Sequence, residues 1–171
     1  MEESIFSQVK DLLIKGQVQE ALQRLDEGIE SDIRTSKILG LRRSVKTILD
    51  EFQESVDVSE LPKVVKLQYQ GATKKLYKDH EGSLKDLNEA DLLEPNNAIT
   101  LRYRGDTKRV MGDLNGSLKD LDESIRLEPN KALTWQIRAT VKSELGDCAG
   151  SLKDFNEAER LEPTGSFPFP L

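Results

Sequence analysis

Side chains able to do covalent or metal chemistry are few in this chain, and they are scattered. His80 is the only histidine. A metal site needs several convergent ligands, so His80 reads as a solvated residue at a turn and no metal is expected. Cys148 is the sole cysteine, which excludes an internal disulfide and fits a reducing compartment. No glycine-rich phosphate loop, paired-cysteine spacing or nucleophile motif is present, so no cofactor and no catalytic residues are expected, and the chain does not read as an enzyme. Arg104–Gly105–Asp106 spells an adhesion tripeptide but falls inside a helical pattern, where the match is coincidental.

The chemistry on offer is charge, and it is sorted by segment. One set of segments is basic: Lys66, Lys74, Lys75 and Lys78 with no acid; Arg102, Arg104, Lys108 and Arg109 against Asp106; Arg138 and Lys142 against Glu144. The alternating set is acidic, as in Asp86, Glu89, Asp91 and Glu94 against Lys85 alone. Such patterning suits recognition of charged groups, or it neutralises neighbouring segments, exposed pairs contributing about 0–1 kcal/mol each. The formal charge of −6 disfavours a nucleic-acid backbone as partner. No apolar run is long enough for a membrane span, and the opening Met-Glu-Glu lacks a secretory signal, so the cytoplasm is expected, with the nucleus as the other compartment.

The positioning elements are read from three copies of one phrase: Gly82–Ser83–Leu84–Lys85–Asp86, Gly116–Ser117–Leu118–Lys119–Asp120 and Gly150–Ser151–Leu152–Lys153–Asp154. Each is followed at one interval by Leu-Glu-Pro, and the period is 34 residues. A fixed period of that length around apolar helical spacing signals a helix–turn–helix solenoid. Apolar residues at 36% and aromatics at 5% suit a thin stack rather than one globular core. First helices are expected to start near Val64, Ala98 and Ala132 and to end near Lys78–Asp79, Gly112–Asp113 and Gly146–Asp147. There glycine suits a left-handed turn residue and Asp caps the next helix. The second helices carry Leu84, Leu87 and Ala90 and their counterparts, and the prolines stop them. Asn97 and Asn130 are placed to cap the helices that follow.

Ahead of the array, Ile5, Val9, Leu12 and Leu13 mark one amphipathic helix, and Val18, Ala21, Leu22, Leu25 and Ile29 a second. Residues 1–35 read as a degenerate copy of the same hairpin. Residues 36–63 read as a long helix, with a stripe of Ile38, Leu41, Val45, Ile48, Leu49 and Phe52, followed by a linker ending in Pro62. That helix is expected to cover the first face of the array.

The 34-residue period, the small residues Gly71, Gly105 and Ala139, the bulky ones four places earlier (Leu67, Leu101, Trp135) and the closing prolines resemble the tetratricopeptide repeat. The match is strong over 64–165, as repeats 64–97, 98–131 and 132–165, with 166–171 as a tail. The wording of the copies is similar to arrays of land-plant proteins. The pattern departs where Ser83, Ser117 and Ser151 replace the usual alanine, and where Lys74, Lys108 and Lys142 replace a large aromatic. The resemblance implies an all-α, right-handed superhelical solenoid acting as a protein–protein adaptor, with first helices lining a concave groove and second helices forming the convex back.

Carried onto this chain, the groove would present Gln68, Tyr69, Ala72 and Lys75; Arg102, Tyr103, Asp106 and Arg109; Gln136, Ile137, Thr140 and Ser143. A partner peptide or helix with acidic residues is the expected ligand. The family's two-carboxylate clamp for chaperone C-terminal tails wants Lys and Asn, then Asn, then Lys and Arg. Here those places hold Gln68 and Ala72, Tyr103, and Leu133 and Ile137, so such a tail is not the expected partner. In the same alignment Cys148 falls where a small buried filler packs between two helices. Arrays of this kind usually end in a polar helix, and after Pro163 only Thr-Gly-Ser-Phe-Pro-Phe-Pro-Leu follows. Either Phe167, Phe169 and Leu171 fold back as a cap, or more protein follows, or the open end meets a second copy. The alternative function is therefore a homodimer formed through that end, in a larger signalling protein.

Overall fold

The computed structural model describes residues 2–14, 17–30, 36–51 and 61–163. Within them lie nine α-helices and no strand. They are α1 (Glu2–Ile14), α2 (Val18–Glu30), α3 (Ser36–Glu51), α4 (Lys63–Leu76), α5 (His80–Leu93), α6 (Ala98–Val110), α7 (Leu114–Leu127), α8 (Ala132–Glu144) and α9 (Cys148–Leu161). Contacts are densest inside α4–α5, α6–α7 and α8–α9, three hairpins that stack in order through α5 on α6 and α7 on α8. The expectations for Phe52 and most of the linker, and for the tail at 166–171, fall outside the described residues.

Each hairpin turn is built from local chemistry. Lys78, Gly112 and Gly146 take the left-handed conformation that ends a helix, with φ of 64°, 87° and 84°. Asp79, Asp113 and Asp147 then cap the second helices, accepting the amides of Gly82, Gly116 and Gly150 at 2.9 Å. A Cβ on those three glycines would meet the capping carboxylate at 2.2, 2.0 and 2.0 Å, which explains the glycine opening each phrase. Asn97 caps α6 through the amides of Ile99 and Thr100. The expected cap at Asn130 is not made. Lys131 holds that position in α8 and makes no side-chain cap bond, because Asn130 stands one residue too early, in register with Asn96.

The two helices of a hairpin meet where the small residues allow it. A Cβ on Gly71 would lie 2.7 Å from Leu87 Cγ, and one on Gly105 would lie 2.9 Å from Leu121 Cγ and 3.2 Å from the Ser117 carbonyl. Leu87 and Leu121 are both 0% exposed. Each such burial contributes roughly 1.5–3 kcal/mol. In the last hairpin the counterparts are Ala139 and Phe155, and Phe155 is 45% exposed. The serines in place of alanine are buried too, and Ser83 shares a hydrogen with Thr107 Oγ1 at 3.0 Å across the α5–α6 boundary.

Ahead of the hairpins, α1, α2 and α3 bury Val9, Leu13, Ala21, Leu25, Ile38, Leu41 and Val45 in one cluster with Tyr69, Ala72 and Tyr103. The Tyr69 hydroxyl donates to the Leu13 carbonyl at 3.1 Å, tying α1 to α4. Cys148 is exposed, not a buried filler: it opens α9, the last helix among the described residues. His80 is half-buried as the first residue of α5 rather than solvated.

Gly105→Ala sets overpacking of about 1–3 kcal/mol against a helix-propensity gain of about 0.5–1 kcal/mol, so its melting temperature is expected to fall by several degrees. Gly40, in α3, has nothing within 4 Å of its Cβ position, so Gly40→Ala is expected to raise it. Equal shifts in thermal melts of the two variants would contradict this account of the hairpin contact.

Candidate functional site: the concave floor and its ion pairs

The basic first helices and acidic second helices are joined to each other. Lys74, Lys108 and Lys142 reach Asp86, Asp120 and Asp154 at 2.7, 2.8 and 2.8 Å. Those aspartates close the repeated phrase and are only 7%, 4% and 3% exposed. The lysines standing where a large aromatic was expected therefore neutralise a buried carboxylate inside each hairpin. Arg104 adds a two-pronged bond to Asp120, at 2.8 Å on both oxygens, and Arg138 repeats it on Asp154 at 2.7 and 2.8 Å. Both arginines also reach back to the preceding hairpin, Arg104 to Asp91 at 2.6 Å and Arg138 to Asp122 at 2.7 Å.

These contacts set the protonation of the groups that make them. The Arg104 guanidinium is held above its ordinary value, chiefly by its bond to Asp120. Burial alone would push the Asp154 carboxyl up, but the bonds from Arg138 and Lys142 outweigh it and hold the group below its ordinary value. With these five cations engaged, the second of the two readings of the sorted charge fits these pairs: they neutralise neighbouring segments inside the stack. The Arg-Gly-Asp tripeptide is likewise not displayed, since Arg104 joins the second helices while Asp106 points to the first ones.

What remains on the concave side is a chain of pairs crossing the hairpins. Lys75 of α4 bonds Asp106 of α6, Arg109 reaches Asp106 at 3.2 Å, and Arg109 also meets Glu144 of α8 at 2.9 Å. Burial would raise Asp106, but the Lys75 charge and bond, then those of Arg109, hold it below the ordinary aspartate value. Tyr69 is pushed up to about 12 by burial, so it stays a neutral phenol.

The floor is not uniformly open. Tyr69 is 3% exposed, Tyr103 7% and Arg102 2%, whereas Gln136, Ile137 and Thr140 at the matching places of α8 are half-buried. The cause is non-local. Ser44 and Thr47 of α3 face Lys75, Arg102, Tyr103 and Asp106 across a cavity of about 220 Å³. Thus α3 lies along the groove instead of only covering the array's first face. Gln68, expected as a ligand contact, is buried and donates to Thr100 Oγ1 at 2.7 Å and Asn97 Oδ1 at 2.9 Å. Arg102 stacks on the Tyr103 ring at 4.6 Å. Of the expected groove residues, Arg109, Gln136, Ile137 and Thr140 come together around a second cavity of about 610 Å³ at the last hairpin, with Asp106 at its edge. Phe155, Asn156 and Glu159 of α9 complete its wall. Sequence reasoning had not placed those three in a site, although Phe155 in a leucine register is a signal for it. Among the described residues no cluster of His, Cys, Asp and Glu is arranged for a metal, and no helix is long and apolar enough to cross a membrane.

No family model matches the chain, and no curated protein matches it. Solved structures do. The TPR domain of Sgt2 from Aspergillus fumigatus is similar with a TM-score of 0.58 at 18% identity, over 61% of this chain and 70% of that one. The first TPR of Spaghetti, solved bound to an HSP90 peptide, SRMEEVD, gives 0.57 at 15% over 65% of this chain and 86% of that one. YrrB, described as a TPR protein with an unusual peptide-binding site, gives 0.55 at 14% over 91% and 83%. These likenesses establish the fold as a helical-repeat solenoid of tetratricopeptide type.

Because Asp106 and Asp154 titrate below their unfolded value of about 3.9, their stabilisation is complete above that pH and is lost as pH falls through the lower folded values. Asp154→Asn leaves Arg138 and Lys142 without their carboxylate, a cost of about 3 kcal/mol at pH 7. Urea unfolding is expected to show that deficit at pH 7, and the deficit should shrink steadily as pH falls below about 3.9. A pH-independent deficit would contradict the ion-pair assignment.

Proposed function

We propose that this chain is a protein-interaction adaptor that holds a carboxylate-bearing peptide or helix on the part of the concave floor α3 leaves open. The observation that carries the reading is the cavity at the last hairpin, where half-buried Ile137 and Thr140 lie beside Arg109. Ile137 and Leu133 offer apolar contact, and the Arg109 guanidinium, already oriented by Asp106 and Glu144, offers a fork for a carboxylate. The stack pre-organises these groups, so binding orders little of the receptor. That the peptide-bound Spaghetti domain and YrrB share the fold supports a peptide-binding role. The partner differs from a chaperone tail in this reading. Gln68 is engaged with Thr100 and Asn97, and Tyr103 is buried, so two places the carboxylate clamp would need are closed.

Exposed apolar residues favour the second reading, a homodimer through the last hairpin: Leu152 is 61% exposed, Phe155 45% and Leu145 44%. Apolar surface of this kind marks contact faces.

Panning a library of random displayed 12-residue peptides is expected to enrich Asp or Glu next to Leu or Phe. Arg109→Gln should weaken the selected peptides about tenfold, the worth of roughly one charged hydrogen bond. The SRMEEVD peptide is expected not to bind. Enrichment of basic peptides, or indifference to Arg109→Gln, would sink the groove reading. Light scattering across a wide concentration range should give a monomer, both for the intact chain and for one ending at Gly165. A stable dimer would put the terminal face first.

A further inference from the structure

The last hairpin repeats the lettering of the first at the places that receive the next helix. Where α6 sits on α4 and α5, Gln68 bonds Thr100 at 2.7 Å, Ser83 bonds Thr107 at 3.0 Å, and Arg104 reaches Asp91 at 2.6 Å and Asn88 at 3.4 Å. Moving the four receiving residues on by one period gives Arg102, Ser117, Asp122 and Ile125, a different set. Moving them on by two periods gives Gln136, Ser151, Asn156 and Glu159. The third hairpin thus restores the amide, hydroxyl, amide and carboxylate with which the first hairpin receives α6.

In the first hairpin Gln68 and Ser83 are buried under α6, Asp91 is half-buried and Asn88 is exposed. In the third, Ser151 stays buried, whereas Gln136 is half-buried and Asn156 and Glu159 are exposed. Phe155 is 45% exposed where Leu87 is 0%. The cavity of about 610 Å³ runs along this face, lined by Gln136, Phe155, Asn156, Ala158 and Glu159.

From this continuity with the stack's own interface we infer that the array's end is a docking seat for a partner helix lettered like α6. The helix carries a small β-branched residue, an arginine four places on and a second small β-branched residue three further. Both helices that already dock in this way show the stripe, as Thr100, Arg104 and Thr107 and as Thr134, Arg138 and Val141. All four β-branched residues are 0–1% exposed, and both arginines reach a carboxylate of the hairpin below. Spacing of four and seven keeps the three residues on one helix face. Arginine suits the position because one guanidinium nitrogen can address the Glu159 carboxylate and the Asn156 amide oxygen together, as Arg104 Nη1 does with Asp91 and Asn88. The seat uses the Phe155–Glu159 wall of this cavity and selects a basic helix, whereas the groove reading uses its Arg109 wall and selects an acidic ligand, so the two partners differ in charge and compete for one space.

The test uses the intact chain and a lactam-bridged peptide copying Asn97–Val110, the bridge being needed because isolated helices of this length are marginal in water. Trp135, the only tryptophan, lies in α8 and supplies a fluorescence signal. Saturable binding is expected. It should weaken at least tenfold when the peptide's arginine matching Arg104 becomes Glu, and equally for Glu159→Arg in the chain. Pairing the two reversed partners should restore it. Glu159 is exposed, so circular dichroism melts should show the variant folded. No saturable binding, binding indifferent to both reversals, or a second copy of the chain occupying the face would each overturn the proposal.

Discussion

A buried carboxylate closes every copy of the repeated phrase, and much of the stack is arranged around that constraint. Asp86, Asp120 and Asp154 lie at the hairpin interface, where an uncompensated charge would cost several kcal/mol. The partner has to come from the facing helix at one defined height, which is where Lys74, Lys108 and Lys142 stand. Two of the three carboxylates also take an arginine fork. The departures from the resembled repeat are thus connected to one another. A lysine displaces the aromatic because an aspartate is buried opposite it.

The same arginines carry the constraint from one hairpin to the next. Arg104 and Arg138 each join two second helices, so the relative height of successive hairpins is set by ion pairs as well as by the Leu-on-Gly contact within each. On the concave side the series Lys75, Asp106, Arg109 and Glu144 does the corresponding job. Charges that in one dimension look like a recognition surface are therefore mostly cross-links. Of the expected groove residues, those left half-buried around a cavity lie at the last hairpin.

Much of the architecture was legible. The period, the capping aspartates and the glycines with small side-chain room are local or near-local signals, and each maps onto a turn or a hairpin contact. The misreadings share a cause. Cys148 falls where the family packs a small filler between two helices, but the counterparts His80 and Leu114 are only half-buried and Cys148, the first residue of α9, is exposed. Asn130 was credited as a cap from its residue type, although capping requires a register that Lys131 holds. Gln68 and Tyr103 were placed on the groove from the repeat geometry alone, which says nothing of what else lies there.

By itself, then, the sequence determined the helices, their pairing into hairpins and the identity of the small, apolar and capping positions. Those depend on interactions within about one period, and the lettering repeats often enough to expose them. Only the tertiary structure decided which groove residues are open and which cations are engaged. The packing of α3 against Tyr69, Ala72 and Tyr103 joins segments with no shared lettering, through apolar contacts that carry no pairing code. The Lys and Arg partners lie 12 to 16 residues away on a facing helix, where helix rotation selects among several acids.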